Sequence, residues 1–273
     1  MWLNMPMPNI KISYSSQNLK ADAEALAAKL ELVLLGSSGD EKLSSKADYL
    51  LKFKLDGLCL ESTRQGDHGP IRCDFDSGAN THRRKYGGGN GQSIAKAVGV
   101  SGKFTPHVLD LTAGMGSDGF VLATLGCQLI LLERNSIVYS LLHDGLQRAN
   151  LAGMGDSALA DVVARIDLLE ADSLTYLQSL EPAQSPDVIY LDPMFPARKK
   201  SAKVKKEMQA FHGIVGADED AADLLALALQ RAKYRVVVKR SAAAGHLGEI
   251  TPSYSREGKT TRFDVYALQK LPS

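Results

Sequence analysis

The sequence predicts an α/β protein with one open, largely parallel β-sheet that is covered by helices on both faces. From Thr105 onward, short apolar runs alternate with helical segments, and this order builds a doubly wound sheet. The runs VLDL at 108–111, VIYL at 188–191 and VVVK at 236–239 are apolar almost throughout, as expected for strands buried on both faces. The sequence before residue 80 lacks this alternation and predicts a small α+β lobe. We therefore expect three parts: the lobe at 1–80, a basic, glycine-rich connector with a helix at 81–104, and the sheet domain at 105–273.

The composition is that of an ordinary globular protein. Of the 273 residues, 44% are hydrophobic and 23% are charged, which excludes a disordered or fibrous chain. The formal net charge is only +1, so attraction to nucleic acid must come from local clusters of charge. No apolar run approaches the roughly 18 residues that a membrane span needs, and the N-terminal segment lacks the basic start of a secretory signal. We expect a cytoplasmic protein without membrane association.

The cysteines predict buried thiols rather than disulfides. Cys59, Cys73 and Cys127 are odd in number and contain no C-x-x-C pair, a usage typical of a reducing compartment. Cys59, His68, Cys73 and His82 lie in one stretch, but their separations match no short-spaced set of zinc ligands. We therefore expect no metal.

Within the lobe, the sequence predicts one helix and a hairpin. Residues 18–30 (NLKADAEALAAKL) have apolar side chains at helical spacing, and Asn18 can cap the start of this helix. Two alternating stretches between Tyr49 and Glu61 are joined by Asp56-Gly57, a pair that favours a tight turn. The run from Ile71 to Phe75 is a candidate third strand.

The sheet domain is predicted to contain six strands and four helices. The candidate strands are His107–Leu111, Gln128–Leu132, Ile166–Glu170, Asp187–Leu191, Arg235–Lys239 and Phe263–Gln269. The candidate helices between them are Gly119–Leu125, Ser136–Asn150, Ser173–Ser179 and Asp220–Ala232.

A glycine turn after the first of these strands predicts a ligand site. Asp110 lies near the strand end, and Gly114 and Gly116 precede a helix whose first N–H groups are unpaired. With Gly119 they satisfy G-x-G-x-x-G, the pattern of dinucleotide-binding proteins. However, three residues separate Asp110 from Gly114, and a carboxylate there would repel a diphosphate. It would suit a cationic ligand that carries an amino group.

Further acidic residues follow the next two strands. Glu133 can accept hydrogen bonds from the ribose hydroxyls of an adenosine, a role shared by NAD and S-adenosylmethionine sites. Asp172 or Ser173 follows the third strand, where an adenine amino group could be bound. These positions predict an adenosine-containing ligand but do not identify it.

The segment DPMFP, which follows the fourth strand, predicts the chemistry. It resembles the D/N-P-P-Y/F signature of methyltransferases that modify exocyclic amines of bases, although Met194 replaces the second proline. An aromatic amine is a poor nucleophile, so the enzyme must hold it rigidly and supply acceptors for the hydrogen bonds of its N–H groups. The carboxylate of Asp192 and the carbonyl of Pro193 supply two acceptors, and Phe195 offers a face on which a base can stack.

The whole chain resembles the family of ribosomal RNA small subunit methyltransferase J. The segments that carry the resemblance are HRRKYGGGNG (82–91), AKAVG (95–99), LDLTAGMGSDGFVLA (109–123), LLERN (131–135), YLDPMFP (190–196), VKKEM (204–208) and VVVKR (236–240). The resemblance implies a Rossmann-like class I methyltransferase sheet, S-adenosyl-L-methionine as cofactor, and the N2 atom of a guanine in 16S ribosomal RNA as target. The cofactor contacts that it implies are Ser117, Asp118, Glu133, Arg134, Asp172, Ser173 and Asp192.

Two basic clusters predict contacts with 16S rRNA or the small ribosomal subunit. The first cluster directly follows DPMFP, where phosphates beside a flipped-out guanine would lie: Arg198, Lys199, Lys200, Lys203, Lys205 and Lys206. The second cluster, Arg83, Arg84 and Lys85, lies beside the glycines at 87–89.

Two alternatives belong to other functional classes. An NAD-dependent oxidoreductase would need a His, Tyr or Lys proton donor near the sheet, and none stands out in the sequence; Asp110 also argues against it. A non-catalytic RNA-binding module on the same fold is disfavoured by the intact Asp192 and Glu133.

Overall fold

The computed structural model describes residues 8–37, 46–64, 66–76, 91–194, 214–216 and 218–272. Contacts divide the chain into two compact units. The first contains the described parts of Met1–Cys73, Asn135–Arg148 and Met194–Ala217, and the second those of Asp74–Arg134, Ala149–Pro193 and Asp218–Ser273. Each unit is thus built from three separate stretches, whereas the predicted parts are continuous and end at residues 80 and 104.

The second stretch of the first unit, Asn135–Arg148, lies mostly in the helix Ser136–Gly153. Within the described residues, its first stretch contains a three-stranded sheet and one helix. The strands are β1 (Ile10–Tyr14), β2 (Tyr49–Lys54) and β3 (Gly57–Ser62), in that order, and the helix is α1 (Lys20–Leu30). Strand β1 is parallel to β2, and β2 is antiparallel to β3. Ile12, Leu51 and Leu60 are fully buried and form the centre of this sheet's packing.

Three details of the lobe differ from the prediction. Asn18 does not cap α1 but lies inside a 3₁₀ turn, Gln17–Leu19, that precedes it. Gly57 pairs with Lys54 as the first residue of β3, so the hairpin turn is residues 55–56. Ile71 makes a single bridge to Leu60 and no strand, and the third strand is β1, which was not predicted although its sequence, IKISY, alternates apolar and polar residues.

Long-range hydrogen bonds join later segments of the chain to one another and to the N-terminal segment within the first unit. The side-chain amide of Asn135 donates to the carbonyl of Ile214 at 3.1 Å. The guanidinium of Arg148 donates to the carbonyl of Cys73 and to the carboxylate of Asp144. No local sequence pattern signals such bonds, because their partners lie far apart in the sequence.

The second unit is built on a seven-stranded sheet in the order β6-β5-β4-β7-β8-β10-β9. Its strands are β4 (His107–Asp110), β5 (Gln128–Glu133), β6 (Ile166–Glu170), β7 (Val188–Leu191), β8 (Arg235–Ser241), β9 (Tyr254–Glu257) and β10 (Thr261–Ala267). The strands from β6 to β8 are parallel, and β10 is antiparallel to both neighbours. Parallel neighbours need a long crossover connection, which is usually a helix. Strand β10 is instead preceded by β9 and a short turn, and it pairs in the antiparallel direction. The predicted α/β fold is confirmed.

In the residues that the structure describes, six further helices follow α1. They are α2 (Ser93–Val98), α3 (Ser117–Thr124), α4 (Ser136–Gly153), α5 (Ser157–Val163), α6 (Ser173–Ser179) and α7 (Ala221–Arg231). Helix α2 is the helix predicted in the connector, whereas α5 was not predicted. A Cβ atom on Gly119 would lie 2.7 Å from a methyl carbon of Leu131, so this glycine allows α3 to pack closely on β5.

The described part of the chain contains no helix that is both long and apolar enough to cross a membrane. Cys59, Cys73 and Cys127 are free and buried, as predicted. Burial raises the pKa of the Cys59 thiol to about 11 and that of Cys127 to about 12, so both are protonated at neutral pH.

Candidate active site

The carboxyl ends of four neighbouring parallel strands form one edge of the large sheet, where ligands bind in open α/β folds. Asp110 ends β4 and Glu133 ends β5, while Asp172 follows β6 and Asp192 follows β7. All four belong to the second unit. The structure thus brings the acidic residues that were predicted from separate motifs to the ends of adjacent strands.

The glycine turn between β4 and α3 is fixed by a buried carboxylate. Gly114 and Gly116 adopt left-handed backbone conformations, with φ of 54° and 71°, that glycine accepts without strain. The N–H of Gly114 donates to Oε2 of Glu133 at 3.0 Å, and Glu133 is only 6% exposed. Gly116 is the N-cap residue of α3, which begins at Ser117. Glu133 therefore shapes the turn in addition to any contact with a ligand.

Asp110 is the most deeply buried acid of this edge, at 2% exposure. Its Oδ1 accepts a hydrogen bond from the N–H of Thr112 at 3.0 Å. Burial raises the pKa of Asp110 to about 8; the neighbouring carboxylates of Asp118 and Asp192 contribute to this rise, while the hydrogen bond from Thr112 and the charge of Lys239 oppose it. Without a ligand, Asp110 is therefore largely protonated at pH 7, and a nearby cation would favour its ionised form.

Thr112 connects the glycine turn to the segment after β7. The N–H of Asp192 donates to Oγ1 of Thr112 at 2.6 Å, and the N–H of Leu111 donates to the carbonyl of Tyr190 at 3.0 Å. Two neighbouring strand ends are thereby held together at the point where Asp192 leaves the sheet. Thr112 was not predicted as a site residue, because its role depends on a partner 80 residues away.

Two charged residues and one tyrosine form a cluster with Asp192. The ammonium of Lys239 on β8 is 2.7 Å from Oδ2 of Asp118 and 2.8 Å from Oδ2 of Asp192. The hydroxyl of Tyr190 on β7 donates to the same oxygen of Asp118 at 2.6 Å. Burial raises the pKa of Asp192, although Lys239 opposes this effect. Lys239 and Tyr190 were not predicted as site residues.

Asp172 and Ser173 have structural tasks at the start of α6. Asp172 caps this helix, because its Oδ1 accepts from the N–H of Thr175 at 2.9 Å and from the Thr175 hydroxyl at 2.8 Å. These bonds lower the pKa of Asp172. The hydroxyl of Ser173 donates to the carbonyl of Leu111 at 2.6 Å and is buried. Their predicted contacts with the cofactor stay predictions.

Arg134, which follows β5, makes ion pairs with two acids that precede α7. Its guanidinium is 2.7 Å from Asp220 and 2.5 Å from Asp218. These pairs tie the segment before α7 to the end of β5. A cofactor contact through Arg134 stays a prediction.

Several predicted site residues lie outside the described residues. They are Phe195, Arg83, Arg84, Lys85, Arg198, Lys199, Lys200, Lys203, Lys205 and Lys206. His82, one of the four residues considered as zinc ligands, lies there too. Among the residues that the structure describes, no group of three or more His, Cys, Asp or Glu side chains could hold a metal ion.

Comparisons with known proteins identify similar chains along nearly the whole length. A family model for SAM-dependent methyltransferases matches residues 38–268. The ribosomal RNA small subunit methyltransferase J of Cellvibrio japonicus is 51% identical over 258 residues, which cover 94% of this chain and 97% of the relative. The corresponding protein of Colwellia psychrerythraea is 46% identical over 97% of this chain and 95% of its own. A crystal structure of a SAM-dependent methyltransferase from Neisseria gonorrhoeae is similar with a TM-score of 0.69 and 36% identity, over 94% of this chain and 95% of that one.

Proposed function

We propose, because this chain belongs to the family of ribosomal RNA small subunit methyltransferase J, that it methylates the exocyclic N2 atom of a guanine in 16S rRNA. The methyl donor is S-adenosylmethionine, and the reaction takes place in the cytoplasm. The observation that carries the proposal is the link between Asp192 and the glycine turn through Thr112. This link fixes an acceptor for the target amine relative to the edge that would hold the cofactor.

The donors and acceptors of this edge fit S-adenosylmethionine. Glu133 is a buried carboxylate whose Oε2 is held by Gly114, and it can accept from ribose hydroxyls. Asp110 can neutralise the positive charge of the cofactor's amino group, since a nearby cation favours the ionised form of this carboxyl group. Backbone N–H groups at the start of α3 suit a carboxylate. When bound, S-adenosylmethionine supplies a methyl group that its sulfonium already activates toward attack.

Asp192 is the residue that we assign to the guanine amine. Lys239 holds Oδ2, so Oδ1 is the oxygen that would accept an N–H of the amine. The carbonyl of Pro193 would accept the second N–H, and Phe195 would stack on the base. Fixing both N–H groups orients the nitrogen lone pair toward the methyl donor, and the proton that the nitrogen loses passes to Asp192 or to water.

The basic residues that flank these motifs in the sequence would bind the RNA backbone. The cluster at 198–206 directly follows the residues assigned to the base, so its lysines would contact phosphates beside the target nucleotide. The near-zero net charge of the chain is compatible with this, because attraction to RNA would come from the clusters.

The proposal is tested by identifying the methylated nucleoside. Purified protein is incubated with methyl-labelled S-adenosylmethionine and either small ribosomal subunits or 16S rRNA, and the RNA is digested and analysed by mass spectrometry. We expect the label in N2-methylguanosine only, and an initial rate of labelling that is about 10²- to 10³-fold lower with Asp192→Ala. Label in another nucleoside, or none from the wild-type protein with either substrate, would contradict the proposal.

A further inference from the structure

Lys239 lies where three structural elements meet around the proposed acceptor. It belongs to β8, while Asp192 follows β7 and Asp118 lies in the first turn of α3. Its ammonium is within 2.8 Å of one oxygen of each carboxylate. About a quarter of its side chain is exposed, so water screens these ion pairs less than it would at an open surface. One lysine thus joins the helix after the glycine turn to the residue assigned to the target amine.

The charges around Asp192 explain why a cation is required here. Asp118 and Asp218 both lie close enough to raise the pKa of Asp192, and Lys239 is the group that lowers it. Asp110 and the hydroxyl of Tyr190 also face this cluster. Without Lys239, the neighbouring carboxylates would repel each other, and Asp192 would turn away or take up a proton. Either change would remove an anionic acceptor from its place.

Lys239 is itself held in the charged form. Burial opposes its charge, but the two carboxylates outweigh burial and raise its pKa. Tyr190 fixes the far carboxylate, because its hydroxyl donates to the oxygen of Asp118 that also binds Lys239. The main chain of Asp192 is separately fixed by Thr112, so Lys239 has the remaining task of orienting the side chain.

We propose that Lys239 is a positioning residue, which holds the Asp192 carboxylate in the orientation that accepts the guanine amine by bridging it to Asp118. This inference rests on the proposed function and adds to it a residue that orients the acceptor without contacting the substrate. It also gives Asp118 a role in the same bridge.

Four variants test the proposal: Lys239→Met, Lys239→Arg, Asp118→Asn and the control Lys233→Met. Lys233 precedes the same strand at its other end, where it pairs with Asp187 at 3.9 Å and is half-exposed. For each variant, the maximal rate of methyl transfer is measured as a function of pH at saturating cofactor. The KM for RNA, the affinity for the cofactor and the melting temperature are measured separately.

Loss of Lys239 should affect the rate more than binding. A displaced catalytic group can cost about 10²-fold in rate, so we expect kcat of Lys239→Met to fall by about that factor while KM for RNA and cofactor affinity change by less than about threefold. Lys239→Arg keeps the charge and should recover at least part of the rate. Lys233→Met should behave as the wild type.

The pH profile separates a positioning role from a merely structural one. Removing the cation raises the pKa of Asp192, so the acid limb of kcat should move to higher pH in Lys239→Met. Removing the like charge in Asp118→Asn should move the same limb to lower pH, while the amide oxygen keeps an acceptor for Tyr190. The two opposite shifts are the signature of the bridge.

A folded Lys239→Met with wild-type kcat, or with a reduced kcat and an unmoved acid limb, would overturn the inference. If Lys239→Met does not fold, an unchanged acid limb in Asp118→Asn would overturn it instead. Either result, obtained with a wild-type protein that produces N2-methylguanosine, leaves the proposed function intact. A wild-type protein that produces none contradicts the proposed function itself.

Discussion

Replacement of Glu133 by glutamine should separate cofactor binding from folding. In the structure, Oε2 of Glu133 accepts from the N–H of Gly114, so Glu133→Gln can keep that bond through its amide oxygen. Its NH₂ group then faces the ribose hydroxyls, which lose their acceptor. Hydrogen bonds to a charged group contribute about 1.5–3 kcal/mol. Because about 1.4 kcal/mol corresponds to a factor of ten, the dissociation constant for S-adenosylmethionine should rise about 10- to 150-fold.

Glu133→Ala should weaken binding similarly and also destabilise the fold. It leaves the N–H of Gly114 without this partner, a loss of about 1–3 kcal/mol, or about 2–12 °C in Tm for a domain of this size. Titration calorimetry and thermal unfolding measure the two effects. Glu170→Gln is the matched control, because Glu170 lies opposite Glu133 at the end of β6 and is exposed. An unchanged dissociation constant in folded Glu133→Gln would refute the assignment of Glu133 to the ribose.

Three further predictions concern the other parts of the site. Because burial raises the pKa of Asp110 to about 8, the native ligand-free protein keeps a proton that the unfolded chain releases near pH 4. The free energy of unfolding should therefore fall as pH rises from about 4 to about 8. Asp110→Asn should remove this fall, which urea titrations at several pH values measure. Parallel pH dependences of the two proteins would refute it. Asp192→Ala should lower the single-turnover rate about 10²- to 10³-fold with cofactor still bound, and near-wild-type activity would end its assignment as acceptor. The third change replaces five lysines with glutamine: Lys199, Lys200, Lys203, Lys205 and Lys206. Each lost phosphate contact should lower the log–log salt slope of RNA binding by about 0.7–0.9 without altering cofactor affinity, whereas an unchanged slope would move RNA docking to the cluster at 83–85.

Four of the five parallel strands, β4, β5, β7 and β8, were predictable because most of their residues are buried, whereas the residues of β6 are half-buried or exposed. Ile166–Glu170 was predicted with the bounds that the structure has, and the other parallel strands differ by one or two residues at their ends. Strand β9 was missed because its residues, YSRE, are polar and mostly exposed at the edge of the sheet. A four-residue edge strand has neither an apolar run nor a buried alternation that the sequence could display.

The placement of the candidate site residues was predictable where an acidic residue follows a strand-like apolar run. Asp110, Glu133 and Asp192 all lie at the sheet edge where the motifs predicted them. The connections between them were not predictable, because Thr112 and Lys239 act through partners that are 80 and 47 residues away. A threonine after a strand and a lysine at a strand end are common on solvated surfaces, and only the folded chain distinguishes these two.

The most direct test of the central claim removes the amine rather than a protein group. A fragment of 16S rRNA in which the target guanosine is replaced by inosine lacks only the exocyclic N2 group. We expect this RNA to bind with an affinity within a few fold of the unmodified fragment and to accept no methyl group, even in single-turnover reactions with excess enzyme. Methyl transfer to the inosine-containing fragment at that position would contradict the account, because the methyl group would then be going to another atom.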